Sequence, residues 1–425
     1  MEKEKLFNKD FILVIVGQII SLFGSSLLRF SLSLYILDST GRADMFALLI
    51  AISTLPIILL SPLGGAIADR FNRRNLMVIL DIMSGTILLL FAFTSIYNIT
   101  IISIGILMTL LAVISSIYQP TVQASIPVLV SNNNLVKANG IVNGIGALSN
   151  FMAPVLGGVL YGIMGIKATI YICIIAFILS AIMEIFIRMP FVKRIQQGGM
   201  VTTLIKEMKD GIYYITKQNR FIPKIMLLAL GLNMILTPFF IIGIPYIIKI
   251  TMNSSSTMFG VSEGIMEIST ILGALGVGFL SKKMQIENIY KWLLTTCILM
   301  IPMIFAVSPQ ILAMCYWFSY ILLFICVVPI IMIVTMISIF VITEIQKITP
   351  NEYLGKVLAI ITTVAQCAAP LGQLAYGGIF EVFSFKVYIP VLLMGCLTLL
   401  ISIVGKSLLR SKSNPDLTHI KMNSM

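Results

Sequence analysis

The feature that most limits the fold of this chain is a series of long apolar runs that continues along the whole sequence. Each run holds roughly 18 or more residues, and at about 1.5 Å per residue a helix of that length crosses the hydrocarbon layer of a bilayer. We count twelve runs, at 11–37, 45–67, 76–96, 99–122, 141–163, 168–189, 222–248, 258–280, 289–307, 310–342, 356–380 and 386–408. The pattern predicts an all-α, polytopic membrane protein with twelve transmembrane helices, surrounded by the lipid bilayer.

The composition excludes a water-soluble fold. Mean hydropathy is +1.03 and only 11% of the residues are charged, whereas soluble domains carry about 25% charged residues. The first apolar run is longer than the core of a signal peptide, and its leader, MEKEKLFNKD, mixes acids with bases. We therefore expect this run to remain as the first membrane helix.

The net charge of +12 reflects membrane topology. With a cytoplasmic N-terminus and an even number of spans, 24 of the 29 Lys and Arg residues fall in cytoplasmic segments and four fall in outer loops. This distribution is the positive-inside bias of membrane proteins. We expect both termini in the cytoplasm and no nucleic-acid partner.

Residues that bind metals or catalyse reactions are scarce in the apolar runs. All six cysteines lie in these runs without a C-x-x-C pair, and the single histidine, His419, lies in the polar tail. We therefore expect no disulfide, no metal site, no cofactor and no catalytic residue. The segment VGKS at 404–407 lacks the upstream glycine of a phosphate-binding loop, because position 400 is Leu. These observations favour a membrane transporter over an enzyme or an ATP-driven pump.

The sequence divides into two similar halves at its longest polar stretch, residues 190–221. Three segments have ordered counterparts about 210 residues later: GGAIADR (64–70) with GVGFLSK (276–282), SNNNLVKANG (131–140) with PNEYLGKVLA (350–359), and APVLGG (153–158) with APLGQLAYGG (369–378). This predicts two pseudo-symmetric six-helix bundles, 1–190 and 222–425 with a short tail, joined by a linker at 191–221. A duplication of this kind places a substrate path between the halves and permits alternating access.

The linker contains an amphipathic pattern. Five apolar residues share one helical face, namely Leu204, Ile205, Met208, Ile212 and Ile215. The other side carries charges, namely Lys206, Glu207, Lys209, Asp210 and Lys217. The pattern predicts a helix on the cytoplasmic membrane surface, and a solvated linker with a chance pattern is the alternative.

One junction between apolar runs is unusually charged. In GGAIADRFNRRNLMVILD (64–81), one Asp and three Arg crowd into six positions, and another acid follows inside the next run. The segment resembles the signature of the loop between helices 2 and 3 in the major facilitator superfamily, G-x-x-x-D-R-x-x-R-R. The matching residues are Gly65, Asp69, Arg70, Arg73 and Arg74.

The resemblance implies a conformational latch. Gly65 would let a neighbouring helix approach closely. Asp69 would face the positive N-terminal end of a helix in the other half, and the duplication makes this the eleventh span, which opens near Gly355. The arginines would hold Asp81 and cytoplasmic acids, so that the latch stabilises the outward-facing state. The alternative is that the arginines only record topology.

Further segments resemble the drug:proton antiporter branch that contains the macrolide-efflux proteins. They are GQIISLFGSSLL, YQPTVQASIPVLV, EMKDGIYYI and PNEYLGKV, and they lie in both halves. This resemblance implies a monomeric exporter in a bacterial plasma membrane that moves small hydrophobic or amphipathic molecules, such as macrolide-type drugs, in exchange for protons. The same fold leaves open a lipid or lysophospholipid flippase and a siderophore exporter.

APVLGG in the fifth span resembles the antiporter motif G-P-x-x-G-G through Pro154, Gly157 and Gly158. Proline bends a helix and glycine admits a close partner. We expect the eighth span to be that partner through its glycines, Gly273, Gly276 and Gly278. Ordinary helix packing, without a role in exchange, is the alternative.

Few ionisable residues lie deep in the spans. Arg29 and Glu267 are each roughly 12–14 Å below the outer surface by residue count and are expected to pair, with Glu263 one turn from Glu267. A purely structural ion pair and water-exposed groups in an outer vestibule are the alternatives. Glu267 is our candidate for the coupled proton. Glu184 is expected to pair with Arg188.

Uncharged polar residues in the spans are candidates to line the substrate path. They are Gln18, Asn143, Asn150, Asn233 and Gln366. Hydrogen bonds between helices are the alternative role for each of them.

Overall fold

All regular elements in the described part of the protein are helices. A computed structural model of the chain describes residues 6–95, 99–189, 208–218, 221–280 and 284–409. The all-α prediction is confirmed for these residues. His419 lies outside them, and so does Ser281, which occupies the position of Asp69 when GVGFLSK is aligned with GGAIADR.

The first five helices follow one another with short connections. They are α1 (Lys9–Thr40), α2 (Ala43–Arg70), α3 (Arg73–Ser95), α4 (Ile101–Leu129) and α5 (Leu135–Ile185). Local sequence sets their ends: the Asn8 side chain accepts a hydrogen bond from the backbone of Phe11 at 2.9 Å and caps α1. Gly41 ends α1 with φ of 63°, a left-handed conformation that favours glycine.

The helix α5 is long enough for two membrane crossings. Its 51 residues would extend about 76 Å if straight, more than twice the hydrocarbon thickness. Gly165 interrupts the helical backbone with φ of 73°. This break separates a first leg, 135–164, from a second leg, 166–185, which correspond to the predicted fifth and sixth spans.

The later helices are α6 (Ile222–Pro238), α7 (Ser256–Leu280), α8 (Ile289–Ala306), α9 (Tyr316–Ile348), α10 (Asn351–Val382) and α11 (Tyr388–Leu409). Two π-helical stretches, Phe239–Gly243 and Ile247–Thr251, extend α6, so this span runs from Ile222 to Thr251. The predicted tenth span, 310–342, is interrupted at Cys315, between a short helix at Pro309–Met314 and α9.

Among the described residues, eleven helices are long and apolar enough to cross a membrane. Counting the two legs of α5 separately gives the twelve crossings predicted from the sequence. Large apolar side chains cover the surface, including Phe93 at 77% exposure and Phe279 at 85%. In water such a surface would be highly unfavourable, so the protein is a multi-pass membrane protein.

The chain forms two compact units. The first comprises Met1–Gln197 with Ile248–Glu267, and the second comprises Gly198–Ile247 with Ile268–Met425. The segment Ile248–Glu267, assigned by sequence to the second half, therefore groups with the first unit. As a result, α7 belongs to the first unit up to Glu267 and to the second unit from Ile268 onward.

The first unit has an apolar core built from α1, α3, α4 and α5. Phe11, Met77 and Ile126 are each fully buried there. Two further side chains, Tyr118 and Val122 of α4, also belong to this cluster. The core lies beside the end at which α2 finishes and α3 begins, which we name the inner end of the unit; the end at Thr40 is its outer end.

The second unit repeats the pairing of first and fifth spans seen in the first unit. Here α6 packs on α10, where Gly372 lies against the carbonyl oxygen of Met234. Aromatic rings fill the same region, with Phe239 5.7 Å from Tyr376 and 6.0 Å from Phe380 between ring centroids. The packing of this unit is thus predominantly apolar and aromatic.

Part of the predicted linker helix lies within the described residues. Residues 208–213 are helical and continue into a π-helix at Tyr214–Gln218. Met208 and Ile212 are exposed, while Tyr214 stacks on Tyr353 at 4.7 Å. Leu204 and Ile205 lie outside the described residues, so placement of this helix on the membrane surface stays a prediction.

Candidate functional site

The charged signature occupies the inner end of the first unit. Asp69 and Arg70 are exposed in the last turn of α2, and Arg73 opens α3. Arg73 Nη2 lies 3.2 Å from Asp69 Oδ1, and its Nε donates to the carbonyl oxygen of Ala68 at 3.2 Å. The signature thus fixes the turn between α2 and α3.

The glycine that permits close packing here is Gly64. A Cβ on Gly64 would collide with the carbonyl oxygen of Ser116 in α4. By contrast, a Cβ on Gly65 would meet nothing within 4 Å among the described residues. The expectation that Gly65 admits a neighbouring helix is therefore wrong, because the face of α2 that meets α4 is one residue away. Gly355 is exposed in the second unit, and its part in a latch with Asp69 stays a prediction.

Arg74 connects the signature to the second leg of α5. Its Nη2 donates to the carbonyl oxygen of Ile185, and its Nη1 donates to Asn75 Oδ1 at 2.9 Å. The expectation that the arginines hold Asp81 is wrong, because Asp81 Oδ1 instead accepts a hydrogen bond from Ser21 Oγ at 2.8 Å. A hydroxyl of α1 therefore takes the place expected for a guanidinium group.

Asp81 belongs to a buried polar cluster formed by α1, α3, α4 and α5. Asp81 and Glu184 are each only 1% exposed, and their carboxyl groups lie close enough to interact electrostatically. Tyr118 Oη donates to Glu184 Oε1 at 2.8 Å. Ser180 Oγ donates to the carbonyl oxygen of Gly17 at 2.9 Å. We name Ser21, Asp81, Tyr118, Ser180 and Glu184 the carboxyl cluster.

Glu184 does not pair with Arg188 as expected. Arg188 is exposed, and its backbone N–H donates to Asp10 Oδ1 at 2.8 Å. The i,i+4 spacing would place the two side chains together in a continuing helix, but α5 ends at Ile185. Glu184 consequently points inward to Tyr118 rather than toward the base.

The antiporter-like motif lies at a close helix contact of the first unit. A Cβ on Gly157 would lie 2.8 Å from Phe30 Cδ1 of α1. A Cβ on Gly158 would lie 2.5 Å from the carbonyl oxygen of Ser256 and 3.0 Å from Gly260 Cα, both in α7. These distances are too short for a side chain, so both glycines are required by packing.

The partner of the motif is the eighth span, α7, but through residues other than those expected. Gly260 lies against the carbonyl oxygen of Pro154, and a Cβ on Gly264 would lie 2.5 Å from Val155 Cγ2. The expected contact through Gly273, Gly276 and Gly278 is wrong. Those glycines are in the part of α7 that belongs to the second unit, where a Cβ on Gly273 would lie 3.0 Å from Thr335 Cβ of α9.

Arg29 and Glu267 lie within electrostatic range of each other in the first unit. They make no direct ion pair within the described part of the chain, so a direct pairing of the two side chains stays a prediction. Glu263 interacts electrostatically with Glu267, and its Oε1 is buried without a hydrogen-bond partner. One base and two acids therefore share the region where α1 meets α7, beside the ring contact of Phe30 with Phe259 at 5.5 Å.

The uncharged candidates for the path have mixed environments. Gln18 is buried at 3% exposure, and its Oε1 has no hydrogen-bond partner. Asn143 is exposed, while Asn150 Oδ1 accepts from Ser26 Oγ at 3.3 Å. Asn233 Nδ2 donates to the carbonyl oxygen of Ala229 in its own helix at 3.0 Å. Their role in a substrate path stays a prediction.

An ion pair at the outer end of the first unit is absent from the sequence-based expectations. Lys249 Nζ lies 2.8 Å from Asp38 Oδ1, with the lysine side chain 10% exposed. Lys249 also donates to the carbonyl oxygen of Ser254 at 3.2 Å. The sequence does contain a signal for this ion pair. Asp38 is an acid near the end of a membrane helix, and Lys249 is one of the few basic residues expected in the outer loops.

Carboxyl, hydroxyl and amide groups, together with the guanidinium and ammonium groups described above, supply the polar chemistry of these sites. Within the described ranges, no group of three or more His, Cys, Asp or Glu side chains is arranged to hold a metal ion. The first unit thus offers buried carboxyl groups whose charge must be neutralised by a proton, a partner or a ligand.

The sequence is similar to those of two bacterial transport proteins. The chain is 23% identical over 287 residues to Macrolide efflux protein A of Streptococcus pyogenes, which covers 65% of this chain and 69% of that protein. It is 24% identical over 192 residues to Lysophospholipid transporter LplT of Serratia proteamaculans (strain 568), which covers 44% and 45% of the two chains.

Solved transporter structures share the fold. A nucleoside transporter, NupG, has a TM-score of 0.76 at 13% identity, covering 95% of this chain and 100% of that one. A D-xylose-proton symporter has a TM-score of 0.69 at 13% identity, covering 93% and 96%. The model of the Major Facilitator Superfamily matches residues 14–373, which is most of the chain. The chain therefore belongs to the major facilitator superfamily and is a membrane transporter rather than an enzyme.

Proposed function

We propose that the protein exports small hydrophobic or amphipathic molecules of the macrolide type by alternating access, driven by inward movement of protons. The observation that carries this proposal is the similarity to Macrolide efflux protein A over 69% of that relative. The proposed setting is a bacterial plasma membrane with both termini in the cytoplasm, which the distribution of Lys and Arg supports.

The local chemistry agrees with coupling to an ion gradient. The first unit holds carboxyl groups inside its membrane-spanning helices, at Asp81, Glu184, Glu263 and Glu267. Ionisable groups at such depth are costly, and in transporters they commonly form proton relays or ion pathways.

A second candidate function is the flipping of lysophospholipids. The similarity to Lysophospholipid transporter LplT favours it, although the match covers 45% of that relative. Arg29 is exposed within a membrane helix, and a cation in such a place can bind an anionic headgroup.

Purified protein in liposomes distinguishes these functions. Radiolabelled erythromycin and a fluorescent lysophospholipid are offered separately, with an imposed pH gradient and with the gradient collapsed by an ionophore. We expect gradient-dependent erythromycin movement and no lipid flipping. Lipid flipping alone would select the second candidate, and erythromycin movement that ignores the gradient would contradict proton coupling.

Macrolide susceptibility of cells provides the corresponding test in vivo. Cells that produce the wild type are compared with cells that produce Asp69→Asn at equal membrane abundance. We expect resistance with the wild type and reduced resistance with the variant. Cells that carry the vector without the gene serve as the reference. If they are as susceptible as cells that produce the wild type, macrolide export is contradicted.

A further inference from the structure

We propose that Asp81 and Glu184 form a proton-binding pair that holds one proton between two carboxyl groups, and that this pair carries the coupled proton of transport. The second clause rests on the proposed function, whereas the first stands on the geometry of the carboxyl cluster alone. The site differs from the Arg29, Glu263 and Glu267 group considered from the sequence.

The two carboxyl groups of the cluster are each hydrogen-bonded on one side only. Ser21 donates to Asp81 Oδ1 and Tyr118 donates to Glu184 Oε1. The other two oxygens, Asp81 Oδ2 and Glu184 Oε2, are buried without a hydrogen-bond partner. Each carboxyl group therefore has one satisfied oxygen and one that still needs a donor.

In the proposed pair, one proton is shared by the two remaining oxygens. Bound to Glu184 Oε2, it forms a carboxylic acid that can donate to Asp81 Oδ2, or the reverse. Without it, two negative charges would face each other in a region of low polarity, each with its full desolvation cost and with mutual repulsion. Buried carboxyl pairs elsewhere resolve the same conflict by sharing one proton.

The described neighbours of the pair are uncharged. The groups that face it are Ser21 and Gly17 from α1, Tyr118 from α4, and Ser180 from α5. In the described part of the chain, neither carboxyl group makes an ion pair. Arg74, one base near this end, donates instead to the carbonyl oxygen of Ile185 and to Asn75.

Burial of the pair controls the exchange of its proton with water. With each carboxyl side chain at 1% exposure, the proton leaves or enters only when water reaches the pair. On release, the O–H bond on Glu184 breaks, the proton passes to water, and the charge of the pair changes from −1 to −2. That change is favourable only in a hydrated state, so proton release is linked to a conformation in which the helices around the cluster separate.

The contact between α1 and α5 is suited to such a separation. A Cβ on Gly17 would lie 3.2 Å from Glu184 Cγ, and side-chain hydrogen bonds from Ser21 and Tyr118 hold the carboxyl groups. The second bond connects α4 to α5, and the first connects α1 to α3. Loss of the proton would therefore add a negative charge where these four helices meet.

By comparison, the group at the other end of α1 contains a base as well as two acids. Glu267 interacts with Arg29, whose positive charge favours the ionised carboxylate. Both acids have intermediate exposure, although Glu263 Oε1 is buried without a hydrogen-bond partner. Replacing them therefore supplies a matched control for the carboxyl cluster.

Infrared spectroscopy of the purified protein tests the site directly. The wild type, Asp81→Asn/Glu184→Gln and Glu263→Gln/Glu267→Gln are titrated in nanodiscs, and the carboxylic-acid C=O band is followed with pH. We expect a protonated carboxyl signal at neutral pH that is present in the wild type and in the second double variant. We expect it to lose the intensity of about one carboxylic acid in Asp81→Asn/Glu184→Gln, whose amides keep the size of the side chains.

The outcomes separate the site from the function. A band of wild-type intensity in Asp81→Asn/Glu184→Gln, or no band in the wild type, overturns the proton-binding pair. Stabilisation of the wild type by Na⁺ or Ca²⁺, lost in Asp81→Asn/Glu184→Gln, would assign the cluster to a metal ion and also overturn it. If wild-type liposomes move no erythromycin, the proposed function fails while the infrared result still decides the pair.

The coupling role is tested in the same liposomes. We expect Asp81→Asn/Glu184→Gln to bind erythromycin within about twofold of the wild type but to lose at least about tenfold of its gradient-driven transport. The Glu263→Gln/Glu267→Gln variant should keep its gradient dependence. If the cluster variant retains wild-type gradient dependence and the control variant loses it, the coupled proton belongs to the group near Arg29.

Discussion

The two units are built from the same kind of helices but differ in the polar groups they bury. Among the described residues, the fully buried carboxyl side chains, Asp81 and Glu184, are both in the first unit. The buried polar side chains of the second unit are hydroxyls and one amide: Ser269, Thr296, Ser319, Thr349, Gln373, Thr398 and Ser402.

This difference matters because the two kinds of group have different costs inside a membrane helix. Thr398 Oγ1 donates to the carbonyl oxygen of Met394 at 2.8 Å, and Thr349 donates to that of Ile345 at 2.7 Å. These two hydroxyls are thus satisfied by their own helices. A carboxyl group needs donors from other helices or a proton, so the fully buried groups of the first unit include carboxyl groups that can respond to pH.

The largest expected effect comes from removing a buried carboxyl group. We expect Glu184→Ala to lower the free energy of unfolding by about 2–4 kcal/mol, because it creates a cavity and leaves the Tyr118 hydroxyl without an acceptor. Ser319→Ala in the second unit removes a buried hydroxyl without a hydrogen-bond partner and should change it by less than about 0.5 kcal/mol. Thermal unfolding in detergent provides the measurement, and equal effects would remove the contrast between the units.

The next effect concerns the exposed acid at the inner end of the first unit. We expect Asp69→Asn to remain folded and inserted but to reduce transport at least about tenfold, because the proposed latch needs a negative charge beside a helix N-terminus. Asp44→Asn serves as the control, since Asp44 also pairs with a nearby arginine, Arg42, at 2.5 Å but at the outer end. Wild-type transport rates in a well-expressed Asp69→Asn protein would refute the latch.

A smaller effect is expected where α1 meets α7. Arg29→Ala and Glu267→Ala should each impair stability or transport, and the double variant should be less harmful than the sum of the two. Because the two side chains are within electrostatic range without a direct ion pair, we expect a coupling free energy of about 0.5–1 kcal/mol. Additive single effects in this cycle would show that the two residues act independently.

The sequence was sufficient for the helices and insufficient for the carboxyl cluster, for a physical reason. Hydropathy and helix length identify a span without reference to its neighbours. The pairing of Asp81 with Glu184 depends on the rotation of α3 and α5 about their axes and on their packing, which apolar runs do not specify. From the sequence alone, Asp81 is therefore expected to meet the arginines near it, and Glu184 is expected to meet Arg188, whereas the structure gives them Ser21 and Tyr118.

The sequence does contain a weak signal for the cluster. Gly17 and Ser21 are four residues apart in α1, as are Ser180 and Glu184 in α5, so each pair shares a helical face. Small residues that share a face with an acid are typical of close helix contacts in membranes. The glycine positions show the same limit: APVLGG correctly indicates a close contact, but which glycines of α7 meet it, Gly260 and Gly264, follows only from the fold.

The smallest expected effect compares two ion pairs of similar geometry, one in each unit. Lys249 and Asp38 are 2.8 Å apart, with side chains 10% and 32% exposed, and Lys356 and Asp210 are 3.1 Å apart, with side chains 26% and 43% exposed. Solvent screens the second pair more strongly, and surface pairs contribute about 0–1 kcal/mol.

We expect Asp38→Asn to cost about 1 kcal/mol, because it leaves a mostly buried ammonium group without its carboxylate partner, and Asp210→Asn to cost less than about 0.5 kcal/mol. Melting curves at low and high salt provide the measurement. High salt should reduce the effect of Asp210→Asn and leave most of the effect of Asp38→Asn, since buried charges are screened less. A larger effect for Asp210→Asn would reverse the comparison, because it would place the more important charge interaction in the second unit.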